Sequence, residues 1–302
     1  MDFKSKIILI SGPTASGKSS FALNLAKKVN GEIINADSMQ VYKQLKILSA
    51  RPYQKKYQNI KHHLYGFHDV NKNFSTGQWL KLVVKKIEEI KNRKKIPILV
   101  GGTGLYFKAL IDGLVKIPNT PQKIRNEIRA HQIKIGQNEF YKKLLKLDPL
   151  CKNKINPSDP QRSLRAYEVK SHTKKSIYEW YKYTKSSFRK EDFYKIYIDF
   201  PRIKLVERIN LRSKQMIKNG AIKEVKNYIK LKVRKDKSVN KAIGINEIRQ
   251  YLHNKKNLQE IIDNISIKTR QYAKRQSTWA RSNMNSWFKL KPEELNNFLK
   301  KI

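Results

Sequence analysis

The first hundred or so residues alternate between two hydrophobic patterns. Continuous apolar runs over Lys6–Ser11, Glu32–Ala36 and Lys95–Val100 predict strands buried on both faces. Between them apolar residues recur every three or four positions: Phe21, Leu25 and Val29 within Gly17–Val29, then Trp79, Val83, Ile87 and Ile90 within Gln78–Arg93. These two stretches predict helices with one face toward a core. Strands alternating with helices predict a parallel sheet covered on both faces, with chemistry gathered at the carboxyl ends of its strands.

From about Val115 the pattern changes. Pro118, Pro121, Pro149, Pro157 and Pro160 punctuate short basic helical pieces, and no strand-like run returns until 195-KIYIDF-200. This predicts a helical insertion over 115–190 between a first core segment, 1–114, and a completing segment, 191–302. In the latter, Ile203–Asn219, stopped by Gly220, and Leu258–Ser282 read as helices. The expected fold is α/β, a phosphate-loop parallel-sheet core with an inserted helical domain and a helical C-terminal region.

Composition narrows the function classes. No apolar run approaches the ~20 residues of a membrane-spanning helix, so a cytoplasmic protein is expected. The single cysteine, Cys151, allows no internal disulfide and no Cys-rich zinc cluster, and is expected to be a small buried residue; the pair His62-His63 lacks metal-ligand spacing. The 66 Lys and Arg against 24 Asp and Glu leave a net charge of +42, an excess suited to a polyanionic partner.

Behind the first strand, 10-ISGPTASGKSS-20 fits the phosphate-loop pattern GxxxxGK[ST] in its required strand–turn–helix setting. Gly12 and Gly17 allow close backbone approach, and the loop amides of Gly12, Pro13, Thr14, Ala15, Ser16 and Gly17 lead to the positive end of a helix. (Pro13 contributes shape only, having no N–H.) Lys18 adds a mobile charge, and the Ser19 hydroxyl can ligate a phosphate-bound magnesium. Two acids could complete such a site. Asp199 lies far along the chain before a proline and reads as a strand-end acid. Asp37 opens 37-DSMQVY-42, where polar side chains suit substrate contact as much as metal. A second glycine turn, 101-GGTGLYFKAL-110, follows the third strand; its Thr103 reads either as a helix cap or as a substrate wall. In 159-DPQRSLRAYEV-169, Asp159 and Pro160 open a helix with Arg162 and Arg165 on one face. In 269-TRQYAKRQSTWAR-281, Arg270, Lys274 and Arg281 form one basic stripe with Tyr272 and Trp279 interleaved, a pattern suited to a nucleic-acid backbone.

Together these stretches resemble the bacterial tRNA dimethylallyltransferase (isopentenyl-tRNA transferase) family over essentially the whole chain. The matching set includes 12-GPTASGKS-19, 37-DSMQVY-42, 61-KHHL-64, 101-GGTGLYFKAL-110, 158-SDPQRSLRAYEV-169, 208-RINLRSKQM-216, 241-KAIG-244 and 269-TRQYAKRQSTW-279. The resemblance implies transfer of a dimethylallyl group from dimethylallyl diphosphate to the exocyclic amine of the adenosine 3′ of the tRNA anticodon. It implies Asp37 as general base, with Lys18, Ser19 with magnesium, and Arg212 on the leaving diphosphate, and Thr103 on the adenosine. It further implies an insertion gripping the anticodon stem-loop. RNA contacts would come from Asp37, Ser38, Met39, Gln40, Thr103, Arg125, Gln161, Arg162, Ser163, Leu164, Arg165 and Lys241, with Arg270 and Lys274 from the basic stripe. A monomer is expected. The chain departs from the family pattern at 49-SAR-51, at 165-RAYE-168, at Ile245 in place of a tyrosine, and at Ala280. Two other classes use the same loop: a nucleotide-dependent kinase or RNA-stimulated NTPase, and a non-enzymatic RNA-binding protein.

Overall fold

The computed structural model describes residues 3–302. Its six strands are β1 (Ile7–Ser11), β2 (Gly31–Asn35), β3 (His62–His63), β4 (Ile96–Gly101), β5 (Phe193–Ile198) and β6 (Phe288–Leu290). They form one sheet in the order β3-β2-β4-β1-β5-β6, and every pairing is parallel. The long strands match the apolar runs because they are buried on both faces: every residue of β1 and β2 is buried. The two edge strands, with two and three residues, were not readable as periodic patterns.

The helices are α1 (Lys18–Lys28), α2 (Thr76–Asn92), α3 (Gly104–Asp112), α4 (Gln122–Leu147), α5 (Pro160–Thr173), α6 (Ile177–Tyr181), α7 (Arg202–Lys218), α8 (Ala221–Lys230), α9 (Ile245–Leu252), α10 (Leu258–Asn283) and α11 (Leu295–Lys300). The predicted stripe of α2, Trp79, Val83, Ile87 and Ile90, is wholly buried, and a Ser75–Gln78 capping box starts the helix. Leu9, Ile34 and Leu99 of the sheet meet that stripe in one core layer; Ile8, Ile10, Ile33 and Ile98 point to the other face, against Phe21, Leu25 and Ala26 of α1.

Two compact units emerge, Met1–Ile111 with Phe188–Ile302, and Asp112–Ser187. The second contains α4, α5 and α6. Gly136, at φ 78°, breaks α4. Its core is Leu144, Cys151, Ile155, Ala166, Val169 and Ile177, and burial pushes the Cys151 thiol up to about 12. In the first unit, β1, β4 and β2 are neighbours, so three consecutive strand ends lie side by side at spacings of about 4.8 Å. The phosphate loop, Thr103 and Asp37 leave from those ends.

Candidate active site

The chain leaves β1 through Gly12, where a side chain would stand 3.1 Å from the Ile198 carbonyl oxygen and 3.0 Å from Ser16 Oγ. Ala15 and Gly17 take positive φ (64° and 86°), and the Ser16 amide closes the turn onto Pro13 O at 3.2 Å. The amides of the first turn of α1 then have no intrahelical acceptor and face an anion-binding position. Ser16 Oγ is buried without a hydrogen bond, a polar atom available to a ligand of the loop. Lys18 Nζ donates to Pro13 O at 3.1 Å. Burial lowers the Lys18 ammonium to about 8, against the opposing pull of the Asp37 carboxylate, while Arg212 adds to the lowering.

Asp37 is placed by a buried side chain. Asn35, the last residue of β2, accepts the Asp37 amide on Oδ1 at 2.9 Å. Its Nδ2 donates to the carbonyls of Asp37 and Leu64, both at 3.0 Å. Asp37 Oδ1 accepts the Met39 amide at 2.9 Å, and among the described residues Oδ2 accepts no hydrogen bond. Thr103 does not spend its hydroxyl on α3: Oγ1 accepts the Ser38 amide at 3.0 Å, joining the two strand ends. Gln40 is turned onto the Ser49 carbonyl at 3.0 Å. Around Asp37 stand Tyr65, Tyr106 and Tyr272; burial chiefly raises all three hydroxyls above the ordinary tyrosine value, and the Asp37 charge adds to it, behind that of Tyr57 in the case of Tyr65.

Two long helices complete the site. From α7, Arg212 Nη1 donates to Thr14 Oγ1 at 2.9 Å; burial lowers its guanidinium, and the Asp37 charge opposes that shift. From α10, Gln276 accepts the Thr14 amide at 2.8 Å and donates to Gly102 O at 2.9 Å, tying both glycine turns to one side chain. The close approach needs glycine: a side chain on Gly102 would meet Gln276 Nε2 at 2.1 Å, and one on Gly104 would meet the Trp279 ring at 2.3 Å. A cavity of about 200 Å³ opens here between Gly12, Thr103, Tyr272, Gln276 and Trp279. The expected stripe of Arg270, Lys274 and Arg281 does share one side of α10. It lines a separate cavity of about 780 Å³ against α7, away from Lys18 and Asp37.

The remaining predicted positions divide by exposure. Ser19, Gln161, Arg162 and Lys241 are exposed, and Ser38, Met39, Leu164, Arg125 and Arg165 half-buried. Ser163 instead faces inward: it is fully buried, donating to Asp159 O at 2.8 Å and accepting from Gln137, because its position on α5 lies on the core side with Ala166. Its hydroxyl is not presented to an RNA. Arg51 donates to the Tyr42 carbonyl at 3.1 Å, and Ile245 is wholly buried in a core cluster against which Met39 packs. No group of three or more His, Cys, Asp or Glu able to hold a metal occurs among the described residues. Among the described residues, no helix is long and apolar enough to cross a membrane.

Comparison with known proteins decides the lineage. The family model described as "IPP transferase" matches residues 40–283. The chain belongs to the IPP transferase family. A tRNA dimethylallyltransferase of Pelagibacter ubique (strain HTCC1062) is 63% identical over 302 residues, covering 100% of this chain and 96% of the relative. One of Rickettsia massiliae (strain Mtu5) is 43% identical over 299 residues, covering 98% and 82%. Among solved structures, the full-length tRNA isopentenylpyrophosphate transferase of Bacillus halodurans matches at TM-score 0.70 and 32% identity, covering 99% and 95% of the two chains. A eukaryotic dimethylallyltransferase acting on tRNA matches at TM-score 0.82 and 29% identity, covering 95% and 73%.

Within this IPP transferase chain, two residues that organise the site were not anticipated. Asn35 left a trace: a polar side chain inside the apolar run 32-EIINA-36 must be satisfied somewhere. Gln276 left none, because an uncharged residue in a basic stretch is indistinguishable from surface until the loops it bridges are folded.

Proposed function

We propose that the chain transfers a dimethylallyl group from dimethylallyl diphosphate to the exocyclic amine of the adenosine immediately 3′ of the anticodon of tRNA. The observation that carries this reading is the convergence of a phosphate cradle and a carboxylate with one uncommitted oxygen at three adjacent strand ends. The allylic C–O bond breaks, and its electron pair leaves on the diphosphate. The amine nitrogen forms the new C–N bond, and its proton passes to Asp37. An adenine amine is a poor nucleophile, so holding it and taking its proton both matter; general-base assistance is worth about 10²–10⁴-fold. Lys18, Arg212 and the loop amides meet the charge that develops on the leaving diphosphate. Thr103 holds the adenosine from the facing strand end.

Magnesium fits as a passenger of the diphosphate: exposed Ser19 offers one hydroxyl at the first turn of α1, and among the described residues no group of three or more His, Cys, Asp or Glu could cage it. Bound there, it would neutralise phosphate charge and retain water ligands. The insertion, through exposed Arg162 and half-buried Arg125 and Arg165, would grip the anticodon stem-loop. Every group required lies in one chain, in keeping with a monomer, and a tRNA substrate is in keeping with a cytoplasmic protein.

Competition binding tests the choice of donor. Dimethylallyl diphosphate is expected to displace a fluorescent phosphate-loop ligand, with Lys18→Ala abolishing the displacement. Tight ATP binding that dimethylallyl diphosphate fails to compete would overturn the reading in favour of a nucleotide-dependent enzyme.

A further inference from the structure

The unit Asp112–Ser187 holds a charged cluster that the chemistry above does not use. Glu168 on α5 is 4% exposed, and three arginines surround its carboxylate: Arg125 Nε and Arg129 Nε at 3.6 Å, from α4, and Arg165 Nη1 at 3.9 Å. These separations exceed hydrogen-bond range, so the carboxylate gathers the guanidiniums without saturating them. Arg125 Nε, Arg165 Nη1 and Glu168 Oε1 are indeed buried without any hydrogen bond. Each guanidinium carries five N–H donors, and three guanidiniums stand against one carboxylate. A site left with surplus cationic donors around a fixed acid is prepared for an external anion of phosphate type.

A second, independent feature adjoins it. Tyr181, the last residue of α6, is 50% exposed. Its back is held edge-on by Tyr178, with centroids 5.8 Å apart and planes at 88°. α6 packs against α5, the helix that carries Arg165 and Glu168, and burial raises the Tyr181 hydroxyl against the lowering charges of Arg165 and Arg162. A braced, exposed ring next to phosphate-seeking arginines is the arrangement by which single-stranded nucleic acid is held, bases on the ring and backbone on the cations.

We propose that Tyr181 is a stacking platform for one unpaired base of the RNA substrate, and that Glu168 positions Arg125, Arg129 and Arg165 on the phosphate beside that base. This rests on the tRNA reading above and adds Tyr181, Arg129 and Glu168 to it. The base is held by its face, so the platform tolerates base identity while fixing the path of the strand.

The test is fluorescence anisotropy of a labelled anticodon stem-loop with the full chain and three variants, over a series of salt concentrations. Tyr181→Phe keeps the ring and is expected to bind within about twofold of the parent. Tyr181→Ala is expected to weaken binding about 5- to 150-fold, the loss of one base–aromatic stack, with an unchanged salt slope. Arg129→Ala is expected to flatten the log–log salt slope by about 0.7 for one single-strand phosphate contact. With 2-aminopurine placed in turn at each loop position, one position should be quenched by the parent and by Tyr181→Phe but not by Tyr181→Ala. Parental affinity in Tyr181→Ala, or equal losses in the Ala and Phe variants, would overturn the platform. An unchanged slope in Arg129→Ala would overturn the phosphate site. Failure of the parent chain to bind the stem-loop would instead overturn the tRNA reading on which both rest.

Discussion

Lys18 sits at a junction of burial and charge that makes its own protonation part of ligand binding. With its ammonium lowered to about 8, the free protein loses this charge as pH rises through that value. A diphosphate favours the protonated form, so binding near and above pH 8 must take up a proton and grows weaker with each further unit of pH. Calorimetric titration of inorganic diphosphate between pH 6.5 and 9.5, where the ligand itself also ionises, is expected to show a parent affinity that falls above about pH 8 relative to a permanently charged variant. Lys18→Arg, always charged, should flatten that profile. Asp37 is the proposed general base of the same site. Asp37→Ala is expected to cut single-turnover transfer by about 10²–10⁴-fold and leave tRNA affinity within about twofold. Parallel losses of binding and turnover would make Asp37 an RNA anchor and not the base.

At the scale of elements, α10 acts on the site through one side chain. Gln276 occupies the Thr14 amide and the Gly102 carbonyl, so it fixes the spacing of the two glycine turns without touching Lys18 or Asp37. Gln276→Leu leaves both backbone groups unpartnered, at about 1–3 kcal/mol each where they are buried. The measured outcome should be a kcat reduced more than the KM for the prenyl donor is raised, with Gln276→Glu (which keeps the acceptor) intermediate. A KM effect alone would mean that Gln276 only shapes the donor pocket. At the other end of β2, Glu32 is wholly buried and pairs with Arg93 at 2.7 Å, His63 at 2.6 Å and Lys95 at 3.6 Å. Burial alone would raise its carboxyl, but hydrogen bonds from Arg93 and His63 overcome that and hold it at about 2. A folded-state value below the unfolded one gives stability that is complete above the ordinary carboxylate range and lost as pH falls from about 4.5 toward 2. Denaturant midpoints should therefore decline over that window in the parent, and decline less in Glu32→Gln.

The same two elements show what could be read from residues alone. The long parallel strands and α2 were legible because burial on both faces, or along one stripe, writes itself as a period. The phosphate loop and Asp37 were legible because strand, turn and helix follow one another locally. Asn35, Gln276 and the edge strands were not, since each acquires its role from a partner distant in the chain: Gln276 and Thr14 are separated by 262 positions. Ser163 shows the converse: it stands among the residues that the resemblance implies for RNA, and the phase of α5 turns its hydroxyl into the core.

For the whole molecule, the net charge of +42 is the largest single quantity in play. Such an excess opposes compaction and is relieved by a polyanion, so affinity for tRNA should fall steeply with salt. Membership of the IPP transferase family and full-length similarity to tRNA dimethylallyltransferases join that charge to the small cavity between the strand ends. In the proposed reaction the phosphate held by the loop is a leaving group, and the adenine amine receives the five-carbon remainder. Mass spectrometry of anticodon-loop fragments from tRNA incubated with the protein, dimethylallyl diphosphate and magnesium tests it most directly. One C5H8 addition is expected, confined to the adenosine 3′ of the anticodon and lost with Asp37→Ala; unmodified fragments, or an addition at any other position, would rule this reaction out.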